Sequence, residues 1–136
     1  MKVEYLENGS QDYPLIRIYG TRQTEFLSLL QAVRDVAAVI GKRSAIHEIS
    51  GFDAVSNCML TIVSSSVDEG IRQISATNFS WTLTQEKWRL VSGLIEPFAS
   101  QICDGSYQWL SGKEARYGLN RGAISVLLSC SPDGHW

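Results

Sequence analysis

The feature that most constrains the fold of this chain is a strand pattern that runs directly into an amphipathic helix pattern. Between residues 79 and 84 apolar and polar side chains alternate, as in a strand with one buried face. From Trp88 onward apolar side chains recur every three or four residues, as in a helix with one buried face. Thr84 stands at the junction, where a helix N-cap belongs, and Pro97 predicts that the helix kinks or ends nearby. Such a unit buries its apolar faces by packing the helix on a sheet.

The first half of the chain shows the same pattern with different residues. Residues 13–19 alternate as a strand, and the apolar stripe in residues 26–40 predicts a helix. Thr21 or Thr24 is placed to cap this helix, and Gly41 is placed to end it. Shorter strand patterns fill the rest of the chain, at residues 44–49, 57–63, 71–76, 107–110 and 123–130.

These elements predict an α+β fold in a single domain that spans residues 1–136. We expect a two-layer sandwich in which a mostly antiparallel sheet of about six to seven strands carries two helices on one face. The order strand, helix, strand, strand occurs twice, which predicts two βαββ halves. A chain of 136 residues with 44% apolar side chains is large enough to bury one core.

Composition argues against several classes of partner. Twelve Lys and Arg against fourteen Asp and Glu give a net charge of −2 with no basic stripe, which argues against nucleic acid. The first ten residues lack the apolar region of a signal peptide, and no segment reaches the roughly 20 apolar residues of a membrane span. We therefore expect a cytoplasmic protein with no membrane partner. Cys58, Cys103 and Cys130 lie far apart without a CxxC pair, so we predict buried thiols, no metal site and no cofactor.

The second half of the chain contains a set of short motifs that resemble those of small bacterial proteins of unassigned function. They are the sequence LIEPF at residues 94–98, YQWL at residues 107–110, and LLS, SPDG and a final Trp between residues 127 and 136. The motifs are turns and core positions and contain no catalytic group. The resemblance therefore implies a bacterial origin and no particular activity.

Two groups of residues carry types that catalysis uses. His47 stands beside Glu48, but neighbouring residues of a strand point to opposite faces, so the two cannot act on one substrate. Cys130, Asp133 and His135 supply a thiol, a carboxylate and an imidazole, yet they straddle a terminal turn and not a rigid scaffold. We predict no catalytic residue, and we keep His47 as a residue that contacts a partner.

The loop at residues 111–122 is long for a hairpin and is rich in cations. It carries Arg116, Tyr117 and Arg121 with a single acid, Glu114, so it is suited to an anion or an acidic partner. A solvated, flexible loop is the alternative. We retain Arg116, Tyr117 and Arg121 as predicted binding residues.

The strand at residues 13–19 predicts a second binding surface. Ile16 and Ile18 point to one face, which leaves Leu15, Arg17 and Tyr19 on the face away from the helices. A two-layer protein leaves such a face partly open, and amphipathic residues on an open face favour a partner. Our leading hypothesis is a non-catalytic homodimeric or protein-interaction module with Arg17 and Tyr19 in its interface.

Two alternatives remain open. One is a small ligand-binding protein or enzyme whose site lies between His47 and the loop at residues 111–122. The other is an inhibitor of another protein, of the kind that immunity proteins represent; the mixed charge and the acidic balance of the chain permit it.

Overall fold

The computed structural model describes residues 1–8, 12, 14–101, 104–112, 114–119 and 122–133. The predicted binding residue Arg121 lies outside the described residues, as do Cys103 and His135. The strands are β1 (Lys2–Leu6), β2 (Leu15–Gly20), β3 (Arg43–Ala45), β4 (Asp53–Ala54), β5 (Met59–Ser64), β6 (Gly70–Gln73), β7 (Asn78–Leu83), β8 (Tyr107–Ser111) and β9 (Ser125–Cys130). The helices are α1 (Gln23–Ala38) and α2 (Gln85–Ser100), and short 3-10 turns cover Ile46–Glu48 and Val55–Asn57.

The α+β class is confirmed, but the described strands form two sheets where the sequence predicted one. The first sheet has the strand order β4-β1-β2-β9-β8, and the second has the order β3-β5-β7-β6. Antiparallel hairpins flank a parallel pair at the centre of each sheet, β2 with β9 and β5 with β7. Both sheets are therefore mixed and not simply antiparallel.

The strands form two sheets because each half of the chain contributes one hairpin to each sheet. Each half has a hairpin before its helix and a hairpin after it, and the helix carries the chain from one sheet to the other. The first sheet thus combines β1 and β2 with β8 and β9, while the second combines β3 and β5 with β6 and β7. The predicted likeness of the halves is present, with an additional strand, β1 or β6, at the start of each.

One apolar core joins both sheets and both helices. The stripe predicted for α2 is buried, and the indole of Trp88 packs edge-on against that of Trp81 with ring centroids 4.8 Å apart. The two helices contact each other, for example through the rings of Phe26 and Phe98 at 5.3 Å. Ile40, which the sequence placed on the α1 stripe, lies beyond the helix and is exposed.

The residues that begin and end the two helices agree only in part with the predicted caps. Thr84 caps α2 as predicted, since its Oγ1 accepts a hydrogen bond from the Lys87 amide at 3.3 Å. Helix α1 instead begins after Arg22, whose amide donates to Glu25 Oε1 at 3.1 Å. Pro97 does not end α2, which continues to Ser100. The carbonyl that the proline ring faces belongs to Gly93, an exposed position with open space around it, so water can satisfy that carbonyl.

Candidate functional site

The face that carries Arg17 and Tyr19 is buried, in contrast to the partly open face that the sequence predicts. Leu15 is fully buried, and Arg17 and Tyr19 expose only 9% and 5% of their surfaces. Glu4 on β1 lies directly opposite Arg17 in the strand register. Its Oε1 accepts hydrogen bonds from Arg17 Nε at 2.8 Å and from the Tyr19 hydroxyl at 3.1 Å. Strand β1 was not predicted, so the partner that holds these side chains within the protein was missed.

The same face contains two buried polar atoms without a hydrogen-bond partner, Arg17 Nη1 and Ser129 Oγ. Ser129 lies opposite Tyr19 on β9, so both atoms belong to one region of the first sheet. The Arg17 guanidinium also lies 4.7 Å from the centre of the Tyr19 ring, which adds a cation–π contact. Because both atoms are shielded, a partner would have to displace neighbouring groups to reach them.

His47 lies on a 3-10 turn and not on a strand, so the prediction that it points away from Glu48 is wrong. Its Nε2 lies 4.0 Å from Glu48 Oε1. Its Nδ1 accepts a hydrogen bond from the Leu60 amide at 3.0 Å, which ties the turn to β5. The side chain is 15% exposed. His47 therefore supports the local backbone.

His47 and Gly122, at the end of the loop at residues 111–122, contact different parts of the second sheet. His47 is bonded to Leu60, which pairs with Phe79, whereas Gly122 packs on the backbone of Ile71, which pairs with Trp81. Leu60 and Ile71 are two strands apart and displaced by two residues, a separation of roughly 12 Å. The points at which His47 and Gly122 contact the second sheet are therefore separate.

Arg116 and Tyr117 do come together, in a surface cleft beside the edge strand β8. We call it the β8 cleft; its volume is about 460 Å³. The lining residues come from α2, β8 and the loop, and they are Leu94, Tyr107, Gln108, Trp109, Glu114, Arg116 and Tyr117. Sequence reasoning left open whether Tyr107 and Trp109 belong to the core or the surface. The structure exposes 59% of Tyr107 and leaves Trp109 half-buried on the wall of the cleft.

The described part of the loop is held by hydrogen bonds and by a buried anchor. Leu119 is 1% exposed, and its carbonyl accepts from the Gly112 amide at 3.0 Å. Lys87 of α2 donates from Nζ to the Tyr117 carbonyl at 3.1 Å. Gly112 has a φ of +98°, and a Cβ at this position would overlap Ser125. Tyr117 is therefore tied to α2, and the start of the loop at Gly112 lies against β9.

Tyr117 combines backbone strain with exposure. Its φ is +61°, a left-handed conformation that is costly for a large side chain, and 64% of its surface is exposed. Burial therefore does not offset the strain. Strain of this kind is concentrated at functional positions, which makes the β8 cleft the strongest candidate site among the described residues.

A second cleft, of about 200 Å³, opens between the sheets. The rings of Tyr5 and Phe79 pack there with centroids 4.5 Å apart, and Cys58 lies beside them. Ser56, which lines this cleft, and the following residue Asn57 both adopt left-handed backbone conformations. Burial raises the pKa of the Cys58 thiol from about 9.0 to about 11, and the negative charge of Glu4 adds to the shift. The thiol is thus protonated and a poor nucleophile at neutral pH.

We expect the burial of Cys58 to make the free energy of unfolding depend on pH in the alkaline range. The pKa of Cys58 is raised, and burial raises the pKa values of the Tyr5 and Tyr19 hydroxyls as well. In the unfolded chain these groups therefore lose their protons at a lower pH than in the folded protein. The stabilisation that the protonated Cys58 thiol contributes is complete below pH 9 and is lost as pH rises towards 11. Urea unfolding across this range should show a falling free energy of unfolding, with a shallower fall for Cys58→Ala. Equal slopes for the two proteins would contradict the assignment.

The remaining catalytic candidates, Cys130, Asp133 and His135, are described only in part. Cys130 is buried, while Asp133 Oδ1 accepts a hydrogen bond from Ser131 Oγ at 2.7 Å, and His135 lies outside the described residues. In the described part of the chain, no three His, Cys, Asp or Glu side chains are grouped as a metal ion would require. None of the helices described is long and apolar enough to cross a membrane.

Comparisons with protein-family models, with curated proteins and with solved structures each find no match for this chain. The resemblance to small bacterial proteins therefore stays a prediction. Function has to be argued from the β8 cleft itself.

Proposed function

We propose that the protein is a non-catalytic binding module that recognises another protein through the β8 cleft. The observation that carries this proposal is Tyr117, which is strained and exposed at the same time. A tyrosine that has a left-handed backbone conformation and a solvent-exposed side chain contributes little to the stability of the fold. A partner that covers the ring would supply the missing burial.

The composition of the cleft supports a protein partner. Tyrosine, tryptophan and arginine are the residues that contribute most to binding at protein interfaces, and Tyr117, Trp109 and Arg116 all line this cleft. Leu94 adds an apolar contact from α2. These side chains are presented by a helix, an edge strand and an anchored loop, so little conformational entropy is lost when a partner binds.

The concave shape favours a different protein over a symmetric homodimer. A two-fold interface places the same patch of both subunits against itself, and two facing clefts would enclose an unfilled space. A protruding segment of another molecule fills such a cleft. An inhibitor that acts by binding another protein, as immunity proteins do, is one form of this proposal.

The test compares capture of a cell-lysate partner by three immobilised proteins, followed by titration of the purified partner. The proteins are the wild type, Tyr117→Ser, and Leu27→Ser, which removes an apolar side chain of similar exposure on α1. We expect Tyr117→Ser to weaken the affinity at least about tenfold and Leu27→Ser to leave it unchanged. Equal binding by all three proteins would contradict the proposal. Sedimentation at about 5 and 100 μM tests the homodimer, which predicts a mass that rises with concentration.

A further inference from the structure

We infer that the segment received by the β8 cleft is acidic and carries an apolar residue beside its carboxylates. This inference rests on the proposed function, and it adds the chemistry of the partner. It follows from the distribution of charge, from the state of Arg116 and from the apolar wall of the cleft.

The cleft is lined in part by a cationic loop of an acidic chain. Residues 111–122 contain Lys113, Arg116 and Arg121 against Glu114, which gives the segment a charge of +2. Because the whole chain carries −2, the remainder carries −4. An acidic partner is therefore attracted to this loop, while the net charge of the remainder disfavours its binding elsewhere.

Arg116 is available to such a partner. Its side chain is exposed, and it forms no ion pair with any of the described residues. Two other exposed arginines do have acidic neighbours, since Arg34 lies 3.8 Å from Glu96 and Arg72 lies 3.6 Å from Glu69. A guanidinium in a cleft can bind a carboxylate through two parallel hydrogen bonds. Arg116 is thus the group that would receive the charge of the partner.

The other side of the cleft favours an apolar contact. Trp109 and Leu94 are half-buried there, and the Tyr117 ring stands in solvent at the mouth. Glu114 lines the same cleft and would repel a second carboxylate near it. A segment with an aliphatic or aromatic residue next to one or two acids matches this arrangement better than a uniformly charged one.

The experiment measures fluorescence anisotropy of three labelled twelve-residue peptides with the full chain. Each peptide has a central leucine, and the flanking residues are Asp and Glu in the first, Gln in the second and Lys in the third. We expect the acidic peptide to bind at least about tenfold more tightly than the Gln peptide, with an affinity that falls as salt rises from about 50 to 300 mM. The Lys peptide should bind most weakly.

Two charge reversals locate the contact. Arg116→Glu should weaken binding of the acidic peptide at least about tenfold, whereas Arg43→Glu, at an exposed cation on β3 of the second sheet, should change it less than about twofold. Thermal unfolding of both variants confirms that they fold. Equal binding of the acidic and Gln peptides, tighter binding of the Lys peptide, absence of binding, or equal effects of the two reversals would each overturn the inference. The proposed function fails separately, if Tyr117→Ser binds the purified protein partner as tightly as the wild type.

Discussion

Replacing Trp88 with alanine should lower the free energy of unfolding by about 3–5 kcal/mol. Trp88 is fully buried, its ring packs on Trp81, and its Nε1 donates to the Val63 carbonyl at 2.8 Å. The substitution removes the packing, leaves a cavity in the core and removes the hydrogen bond from the indole to the Val63 carbonyl. Because α2 is held to β5 by this residue, we expect a loss at the upper end of the range for a single side chain. Urea unfolding followed by circular dichroism measures it.

Trp88→Phe separates the loss of packing from the loss of the hydrogen bond. Phenylalanine retains much of the packing but cannot donate to the Val63 carbonyl, so we expect a loss of about 1–3 kcal/mol. Trp109→Phe is the matched control, because Trp109 is only half-buried at the surface. If Trp88→Ala cost no more than Trp109→Phe, the position assigned to α2 on the second sheet would be incorrect.

Replacing Glu4 with alanine should also cost about 3–5 kcal/mol, since it leaves the buried Arg17 without a counter-charge. Arg17 Nε and Nη2 both contact Glu4 Oε1, the latter at 2.7 Å, and Nη1 already has no hydrogen-bond partner. No other acid is paired with this guanidinium among the described residues. The loss would again appear in urea unfolding.

The double variant Glu4→Leu with Arg17→Met tests the cause. It removes both charges and keeps apolar volume, so we expect it to be markedly more stable than Glu4→Ala. Glu69→Ala is the control, because Glu69 pairs with Arg72 at the surface, where an ion pair contributes at most about 1 kcal/mol. A double variant as unstable as Glu4→Ala would show that the packing of Glu4 matters more than the uncompensated charge.

Local patterns predicted local structure well. The apolar stripe and the cap at Thr84 depend on residues close in sequence, and α2 has both. Long-range pairing was not predictable in the same way, because nothing near β2 indicates that its parallel neighbour is β9 at the far end of the chain. The 3-10 turn at His47 likewise depends on a hydrogen bond from Leu60 on another strand.

The candidate site was predicted in part. Composition identified Arg116 and Tyr117, since cations and an aromatic in a long loop are visible in the sequence. The wall formed by Leu94 and Trp109 depends on how α2 packs beside β8, and no local pattern reports that. The alternation of Val3 and Tyr5 with polar neighbours was a strand signal that was missed, and the pairing of this strand with β2 places Glu4 opposite Arg17.

The exchange of hairpins between the sheets has a consequence for how the chain folds. The central pair of the first sheet joins Leu15 to Ser125, whereas the second sheet joins Leu60 to Phe79. Contacts between residues distant in sequence form slowly, because closing a long loop must precede any gain from the contact. During synthesis on the ribosome the second sheet can assemble early, while β1 and β2 wait for β9. In that interval the edge of β2 that pairs with β9 is unpaired, and an unpaired strand edge favours aggregation.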